Sequence, residues 1–205
     1  MKHTYFVTGI GTEVGKTVAS AILTEALEAD YWKPIQAGDL DNSDSHEVER
    51  LISNDKTVFH KNSFALKTPM SPHAAAEIDQ VKITSKKIKR PKTENRLVIE
   101  GAGGLLVPIS DKETIADLMQ PEDRIILVSR HYLGSINHTL LTIEALKSRG
   151  LNCFGIIFSG EENKSTESII KKMSGVTVLG RIEWEPYFDQ NVIKEYAEIF
   201  REKLK

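Results

Sequence analysis

Short apolar runs alternate along this chain with longer segments whose apolar residues recur at helical spacing. The runs are typical of buried strands and lie at residues 2–7, 31–35, 96–100, 124–129, 153–158 and 176–182. The helical spacing predicts helices at residues 17–29, 46–52, 133–150, 163–173 and 192–204, with an irregular stretch at 53–72. Because strands and helices alternate, we expect a mostly parallel sheet with helices on both faces, in a single α/β domain over residues 1–205.

The first predicted strand leads directly into a glycine-rich loop. Residues 9–17 have the sequence GIGTEVGKT and precede the first predicted helix. A Gly-Lys-Thr ending at this place is typical of a P-loop, whose backbone N–H groups surround phosphate oxygens at a helix N-terminus. The spacing is unusual, since five residues rather than four separate Gly9 from Gly15. A plain strand-turn-helix is an alternative, but the flanking strand and helix favour a nucleotide-phosphate loop.

Two side chains of this loop have defined chemistry in a P-loop. The Lys16 ammonium would reach the β- and γ-phosphates of a nucleotide, and the Thr17 hydroxyl would hold Mg²⁺. The predicted nucleotide contacts in this segment are Glu13, Val14, Gly15, Lys16, Thr17 and Val18.

A second glycine-rich stretch follows the strand predicted at residues 96–100. The apolar strand ends at Glu100, and residues 101–104 have the sequence GAGG. Parallel strands carry the ligand site at their C-terminal ends, so we expect Glu100 to face the same crevice as the P-loop and to bind Mg²⁺. The alternative is a turn residue in front of a flexible loop.

Composition and charge exclude several classes of protein. With 27 basic and 29 acidic residues the net charge is −2, which gives no general attraction to nucleic acid or to a membrane surface. No apolar stretch approaches the ~20 residues of a membrane span, and the chain starts in a strand without a signal peptide, so we expect a cytoplasmic protein. The basic run at residues 82–92 lacks interleaved aromatic residues and is interpreted as a solvated helix face. Cys153, the single cysteine, is expected to be a buried apolar residue.

Six segments together resemble the dethiobiotin synthetase family. They are GIGTEVGKT at residues 9–17, YWKP at 31–34, NSD at 42–44, SPH at 71–73, VIEGAGG at 98–104 and LGSINH at 133–138. The resemblance implies an ATP- and Mg²⁺-dependent ligase of biotin biosynthesis. Such an enzyme carboxylates 7,8-diaminopelargonic acid with CO₂ and closes the ring through a carbamate and a carbamic-phosphoric anhydride, giving dethiobiotin, ADP and phosphate.

The resemblance also implies roles for individual residues. The implied catalytic residues are Lys16, Lys33 and Thr12, with Lys33 as a second cation near the carbamate and the γ-phosphate. The implied Mg²⁺ ligands are Thr17, Asp44 and Glu100, and the nucleotide contacts extend to Asp44, Glu100, Gly101, Ala102 and Gly103. The implied substrate contacts are Thr12, Lys33, Ala37, Gly134, Ser135, Ile136 and Asn137. Taken alone, Lys33 could be an exposed strand-end lysine and Asp44 a helix cap.

Residues 134–137 open a predicted helix, and helix N-termini bind carboxylates. The resemblance implies a homodimer in which this segment lies against the partner subunit's active site, near the carboxylate tail of the substrate. Ser135 could also cap the helix. His73 and His138 belong to matching segments and are expected to have structural roles.

Three positions depart from the family pattern. Ala37 stands where the family commonly has Ser, and Ser159 stands where it has the Asn that recognises adenine. Glu183 replaces the Pro of a later Gly-x-Ile-Pro segment. The last two belong to base recognition, so we hypothesise weaker or altered purine selectivity, with the phosphates supplying most of the nucleotide affinity.

Three other classes of protein could also contain this P-loop. An amide ligase of the cobalamin-precursor type normally carries a long glutamine-hydrolysing domain, for which this chain has no room. A partition- or chaperone-type ATPase usually has a second lysine early in the loop, where this chain has residues 9–11, GIG. A purely structural nucleotide-binding protein would have no need for Lys16, Asp44 and Glu100.

Overall fold

The computed structural model describes residues 3–204. Its strands are β1 Thr4–Gly9, β2 Asp30–Trp32, β3 Ile35–Ala37, β4 Phe59–His60, β5 Phe64–Leu66, β6 Leu97–Gly104, β7 Arg124–Arg130, β8 Cys153–Ser159 and β9 Val178–Ile182. Its α-helices are α1 Lys16–Leu27, α2 Asp44–Leu51, α3 Pro72–Ile78, α4 Ser135–Ser148, α5 Lys164–Ser174 and α6 Gln190–Arg201. The alternation of strands and helices confirms the predicted α/β class.

Seven strands form one parallel sheet in the order β4-β2-β6-β1-β7-β8-β9. The first strand lies in the middle, where Val7 pairs with Glu100 of β6 and with Ile126 of β7. The chain builds the sheet first on one side of β1 and then on the other. The strand order therefore reverses at β1. In open parallel sheets, the usual ligand site is the crevice at the C-terminal ends of the strands beside such a reversal.

Alternate residues of the strands enter two separate cores. Tyr5 and Val7 of β1 pack with α1, α2 and α6 on one face of the sheet. Phe6, which lies between them, packs on the other face with residues of α3, α4 and α5. Because side chains alternate along a strand, a sheet covered by helices on both faces needs apolar residues at nearly every position. Within residues 3–204, no helix is both long and apolar enough to cross a membrane.

Several predicted boundaries are wrong, and proline explains one of them. The strand predicted at residues 31–35 is divided at Pro34, which has no N–H to donate to a ladder. The residues after it form β3, which pairs with β5 in a second, two-stranded sheet. The stretch at residues 53–72 was predicted to be irregular, but it contains two short strands, β4 and β5. The basic run at 82–92 holds only a 3₁₀ turn at Ser85–Lys87 instead of a helix.

Helix starts also differ from the prediction. Ser43, not Asp44, caps α2, and its hydroxyl accepts a hydrogen bond from the backbone N–H of His46. Gly134 is the N-cap of α4, so Ser135 does not cap this helix. The strand predicted to end at Glu100 continues to Gly104, so the glycine-rich segment is itself part of the sheet.

Candidate active site

The P-loop follows β1 and bends back over its end. A Cβ on Gly9 would lie 2.6 Å from a methyl group of Val14 and 3.3 Å from the Lys16 side chain, so the turn leaves no room for a larger residue. Gly15 has a φ of 95°, in the left-handed region that favours glycine, and a Cβ there would lie 3.0 Å from the Ser159 hydroxyl. The loop thus ends at the first residue of α1 with its backbone closely confined.

Lys16 lies inside this loop. Its Nζ donates a hydrogen bond to the carbonyl oxygen of Gly11, with a distance of 3.0 Å. The side chain is buried, and burial lowers the pKa of Lys16 to about 8, although the Glu100 carboxylate acts in the opposite direction. The ammonium is therefore poorly solvated, and an anion such as a phosphate would compensate its charge.

The glycines of β6 provide the surface on which the P-loop rests. A Cβ on Gly104 would lie 3.4 Å from the backbone of Gly11. Gly103 has a φ of 67°, and a Cβ there would lie 2.8 Å from Val107 and 3.4 Å from the Thr12 hydroxyl. The two glycine-rich motifs therefore meet backbone to backbone, which places Thr12 beside residues 102–103.

Glu100 is the centre of a buried polar cluster. Its Oε1 accepts hydrogen bonds from the Thr17 hydroxyl and from the Lys33 ammonium, each at 3.0 Å. Its Oε2 accepts a hydrogen bond from the Tyr31 hydroxyl at 2.9 Å. Lys33 also forms an ion pair with Asp44 and donates to the carbonyl oxygen of Gly101 at 3.2 Å. Lys33 is only 4% exposed and Glu100 only 1% exposed, so Lys33 is not the exposed strand-end lysine considered above.

The charges in this cluster stabilise one another. Burial by itself lowers the pKa of Lys33, but the carboxylates of Glu100 and Asp44 outweigh it and raise the pKa above its ordinary value. Burial, followed by the charge of Glu100, raises the pKa of Tyr31 well above its ordinary value, which keeps the phenol neutral. Burial and the neighbouring Asp44 raise the pKa of Glu47. Lys33 is thus a fixed cation at the floor of the site.

The donor atoms of Thr17, Asp44 and Glu100 fit a magnesium ion. All three residues offer hard oxygen ligands. In this structure the carboxylates of Asp44 and Glu100 converge on the Lys33 ammonium, and Thr17 contacts Glu100. No group of three His, Cys, Asp or Glu residues that could hold a metal by itself occurs in residues 3–204. Mg²⁺ is usually bound by only one or two protein carboxylates, together with substrate phosphates and water.

These groups line one cavity of about 720 Å³. Of the residues predicted for the site, the cavity is lined by Thr12, Glu13, Gly15, Lys16, Thr17, Val18, Lys33, Ala37, Asp44, Glu100, Ala102 and Gly103. Val14 is buried beneath the loop, and Gly101 lies within β6 against Phe6 and Ile115. The segment at residues 134–137 does not border this cavity.

Sequence reasoning missed several residues that line the cavity: Gln36, Asp39, Glu47, Pro69, Met70, Ser71, Pro72 and Val107. Gln36 is the most informative, because its Oε1 is buried without a hydrogen-bond partner in residues 3–204 while its Nε2 donates to the Gly38 carbonyl at 3.1 Å. The signal for Glu47 was its spacing of three residues from Asp44, which places both on one face of a helix. Tyr31 was part of a quoted motif, but its contact with Glu100 depends on the pairing of β2 with β6.

The middle of α4 borders a different surface. A groove of about 390 Å³ lies between the P-loop and this helix, and its apolar lining includes Leu106, Leu141 and Ala145. Leu133, before the helix, is fully exposed. Ser135 is 2% exposed, and its backbone N–H donates to the Tyr132 carbonyl at 2.9 Å.

A P-loop on the middle strand of a parallel sheet defines the class of P-loop nucleotide-binding proteins. The sequence model of a family described as an AAA domain matches residues 3–192. A ParA family ATPase from Chlorobium tepidum superposes with a TM-score of 0.59 over 96% of this chain and 98% of that one, at 14% identity. The cell division ATPase MinD of Pyrococcus furiosus gives 0.57 over the full length of both chains, at 13% identity. These likenesses concern the fold.

Two relatives identify the family. The ATP-dependent dethiobiotin synthetase BioD of Christiangramia forsetii is 70% identical over 204 residues, which cover 100% of this chain and 99% of that protein. The protein of the same name from Cytophaga hutchinsonii is 48% identical over 195 residues, 94% of each chain. The chain belongs to the dethiobiotin synthetase family. The expected family and the interpretation as an ATP-dependent ligase are confirmed.

Proposed function

We propose that this protein converts 7,8-diaminopelargonic acid, CO₂ and ATP into dethiobiotin, ADP and phosphate. At the level of residues, the proposal rests on one observation. A single cavity is lined by Lys16, Lys33, Thr17, Asp44 and Glu100. Two cations and two carboxylates beside a P-loop suit a reaction in which a phosphoryl group moves to a carboxylated substrate.

The reaction needs three bond-forming steps. One substrate amine attacks CO₂ and loses a proton, which gives a carbamate. A carbamate oxygen then attacks the γ-phosphorus of ATP, and ADP leaves. Finally the second amine attacks the carbamoyl carbon, loses a proton and expels phosphate, which closes the cyclic urea. No step requires a covalent bond to the protein.

The cations act mainly on the phosphoryl transfer. Lys16, desolvated within the P-loop, stabilises the charge of the transferred group. Lys33, held by Glu100 and Asp44, is the second cation and lies where the carbamate and the γ-phosphate meet. Thr17, Asp44 and Glu100 are the residues that would hold Mg²⁺. The bound ion would neutralise charge on the β- and γ-phosphates.

The substrate amine has two candidate partners. The Thr12 hydroxyl lies beside Gly103 and can hydrogen-bond the amine or its carbamate. Gln36 offers the buried Oε1 that has no partner in the described part of the chain, and an amine N–H would satisfy it. At Ala37 only backbone and a methyl group are offered where the family commonly has a hydroxyl.

We further propose a homodimer in which residues 134–137 complete the partner subunit's site. The exposed apolar residues Leu106, Leu133 and Leu141 on the surface around the start of α4 support an interface there. Because Ser135 is buried in its own protomer, Gly134, Ile136 and Asn137 are the members of this segment that can reach the substrate carboxylate. We expect a cytoplasmic protein with no nucleic-acid or membrane partner.

The reaction is tested by phosphate release from ATP with Mg²⁺ and bicarbonate, with and without 7,8-diaminopelargonic acid. We expect phosphate release to depend strictly on the diamine and dethiobiotin to be found by mass spectrometry. Hydrolysis that is independent of the diamine would instead support a switch ATPase. Sedimentation of the protein and of its Leu133→Glu variant tests the dimer, which the substitution is expected to dissociate.

A further inference from the structure

A second, smaller cavity of about 190 Å³ adjoins the P-loop on the side of β8 and β9. It shares Gly15 and Val18 with the large cavity, and its other walls include Arg130, Ser159 and Trp184. A nucleotide whose phosphates lie on the P-loop has its base at the far end of the ribose. This cavity, which lies beside Gly15 and Val18, can receive the base.

Trp184 is 70% exposed, whereas Trp32, the other tryptophan, is buried. The segment that carries Trp184 is nevertheless held in place on both sides. The backbone N–H of Glu183 donates to the Tyr196 hydroxyl at 3.0 Å, and that hydroxyl donates to Glu185 at 2.6 Å. An exposed indole on a fixed segment is a rigid platform with little conformational entropy to lose on binding.

Arg130 connects this platform to the phosphate loop. Its guanidinium lies 5.6 Å from the centre of the Trp184 ring, and its Nη1 donates to the Glu13 carbonyl at 3.1 Å. Glu13 has a φ of 56°, so the contact lies at a strained turn of the loop. The guanidinium lies over the indole ring, and both side chains border the space beside Gly15.

Three carboxylates, those of Glu13, Glu183 and Glu185, line this cavity, and two of them are already engaged in hydrogen bonds. The Glu183 carboxylate is engaged by Arg181 at 2.7 Å, and its backbone N–H is already used. Ser159 offers a single hydroxyl, packed against Gly15. Recognition by hydrogen bonds, which discriminates one base from another, therefore has few partners, whereas stacking is available to every base.

We propose that the nucleobase stacks on Trp184 beside the Arg130 guanidinium, so that this protein binds purine and pyrimidine triphosphates with similar affinity. The proposal rests on the proposed function only in placing the triphosphate on the P-loop. It assigns Trp184 as the residue that supplies base affinity and explains why an indole is kept exposed at this place.

The test is calorimetric binding of ATP, GTP and CTP with Mg²⁺ and without the diamine, with inorganic tripolyphosphate as the base-free probe. We expect the three nucleotides to bind within about tenfold of one another and more tightly than tripolyphosphate. Trp184→Ala should weaken ATP binding roughly tenfold and leave tripolyphosphate unchanged. Trp184→Phe, which keeps a stacking face, should restore most of the affinity.

Tyr187→Ala is the matched control, because Tyr187 is an equally exposed aromatic of the same segment that does not line the cavity. It should leave ATP binding unchanged. Equal losses for ATP and tripolyphosphate in Trp184→Ala, unchanged ATP binding in that variant, or a preference for ATP above about a hundredfold would each overturn the stacking proposal. Failure of tripolyphosphate and all nucleotides to bind the unmodified protein would overturn the P-loop site itself and the proposed function with it.

Discussion

The phosphate end and the base end of this site are built in different ways. At the phosphate end, Lys33, Glu100 and Lys16 are buried, with Lys33 paired to Glu100 and Lys16 donating to the carbonyl oxygen of Gly11. At the base end, Trp184 is exposed, and the cavity around it is lined by side chains of several kinds, among them Arg130, Ser159 and three glutamates. The difference separates catalysis from recognition: changes at the first end should alter turnover, and changes at the second should alter which nucleotide is bound.

The largest effect is expected from Lys33→Ala. Loss of a cation that faces the transferred group should lower kcat by roughly 10²–10³-fold, while ATP affinity changes little, since Lys16 and the loop remain. Steady-state kinetics and calorimetry measure the two quantities. Removing one partner of a buried pair also destabilises the fold by about 3–5 kcal/mol, so thermal unfolding must be recorded for the variant. Lys56→Ala, which removes an exposed lysine paired with Glu28, is the control.

Gln36→Leu should give a smaller and more selective effect. If the free Oε1 accepts a hydrogen bond from the diamine, its loss should raise KM for the diamine by roughly tenfold, the equivalent of about one hydrogen bond. ATP affinity should be unchanged, because Gln36 lies away from the P-loop backbone. Gln120→Leu, at an exposed position, is the control. An unchanged KM for the diamine would remove Gln36 from the substrate site.

Ser159→Asn addresses the base end. An amide offers both a donor and an acceptor to the edge of a base, so we expect it to increase the preference for ATP over GTP by roughly fivefold, about 1 kcal/mol. Ser159→Ala should leave the preference as it is. Dissociation constants of the two nucleotides provide the measurement, and kcat should not change in either variant. A change of kcat without a change of preference would contradict the separation of the two ends.

Glu25→Gln should affect neither end directly. Glu25, on α1, accepts hydrogen bonds from the backbone and side chains of Ser53 and Asn54, which follow α2. Burial by itself raises the pKa of Glu25, but these hydrogen bonds outweigh it and the pKa is lowered. Since α1 carries Lys16 and α2 carries Asp44, the contact joins the two helices of the phosphate end.

The glutamine variant should lose roughly 1–3 kcal/mol of the free energy of unfolding at pH 7, with ATP affinity retained. Because the native pKa of Glu25 is lower than that of the unfolded chain, its carboxylate stabilises the fold above pH ~4.3, and this contribution is lost as the pH falls through the native pKa. The difference between variant and parent should therefore shrink in acid. Denaturant unfolding at several pH values measures it, and a constant difference would contradict the assignment.

The phosphate end could be predicted because its parts are short motifs at strand ends. The loop at residues 9–17 follows β1 directly, and Glu100 lies within β6 and pairs with Val7 of β1, so the parallel sheet brings both to one place. Lys33 and Asp44 needed the family resemblance, because a lone lysine or a lone acid after a strand has no chemical signature. The structure adds the reason for Lys33, which is its burial between two carboxylates.

The remaining residues could not be inferred because their roles arise from tertiary contacts. Gln36 lies in a strand of three residues whose partner, β5, falls in a stretch without regular pattern. Trp184 was noted only for the proline missing beside it, since nothing local indicates which loop passes near Gly15. Pro34 was expected to end the strand predicted at residues 31–35, but nothing local indicates that a new strand, β3, begins directly after it.

The position of β1 also affects how the chain is made. Its two neighbours in the sheet, β6 and β7, begin at Leu97 and Arg124, so during synthesis β1 must wait for partners about 90 and 120 residues further along the chain. At ~5–20 residues per second, that wait is on the order of 5–25 s. During this time a strand with apolar residues on both faces has no sheet to join, and its pairings are of the non-local kind that form slowly. The central place that gives the P-loop its rigid support in the finished protein leaves the same segment without its sheet partners in the nascent one.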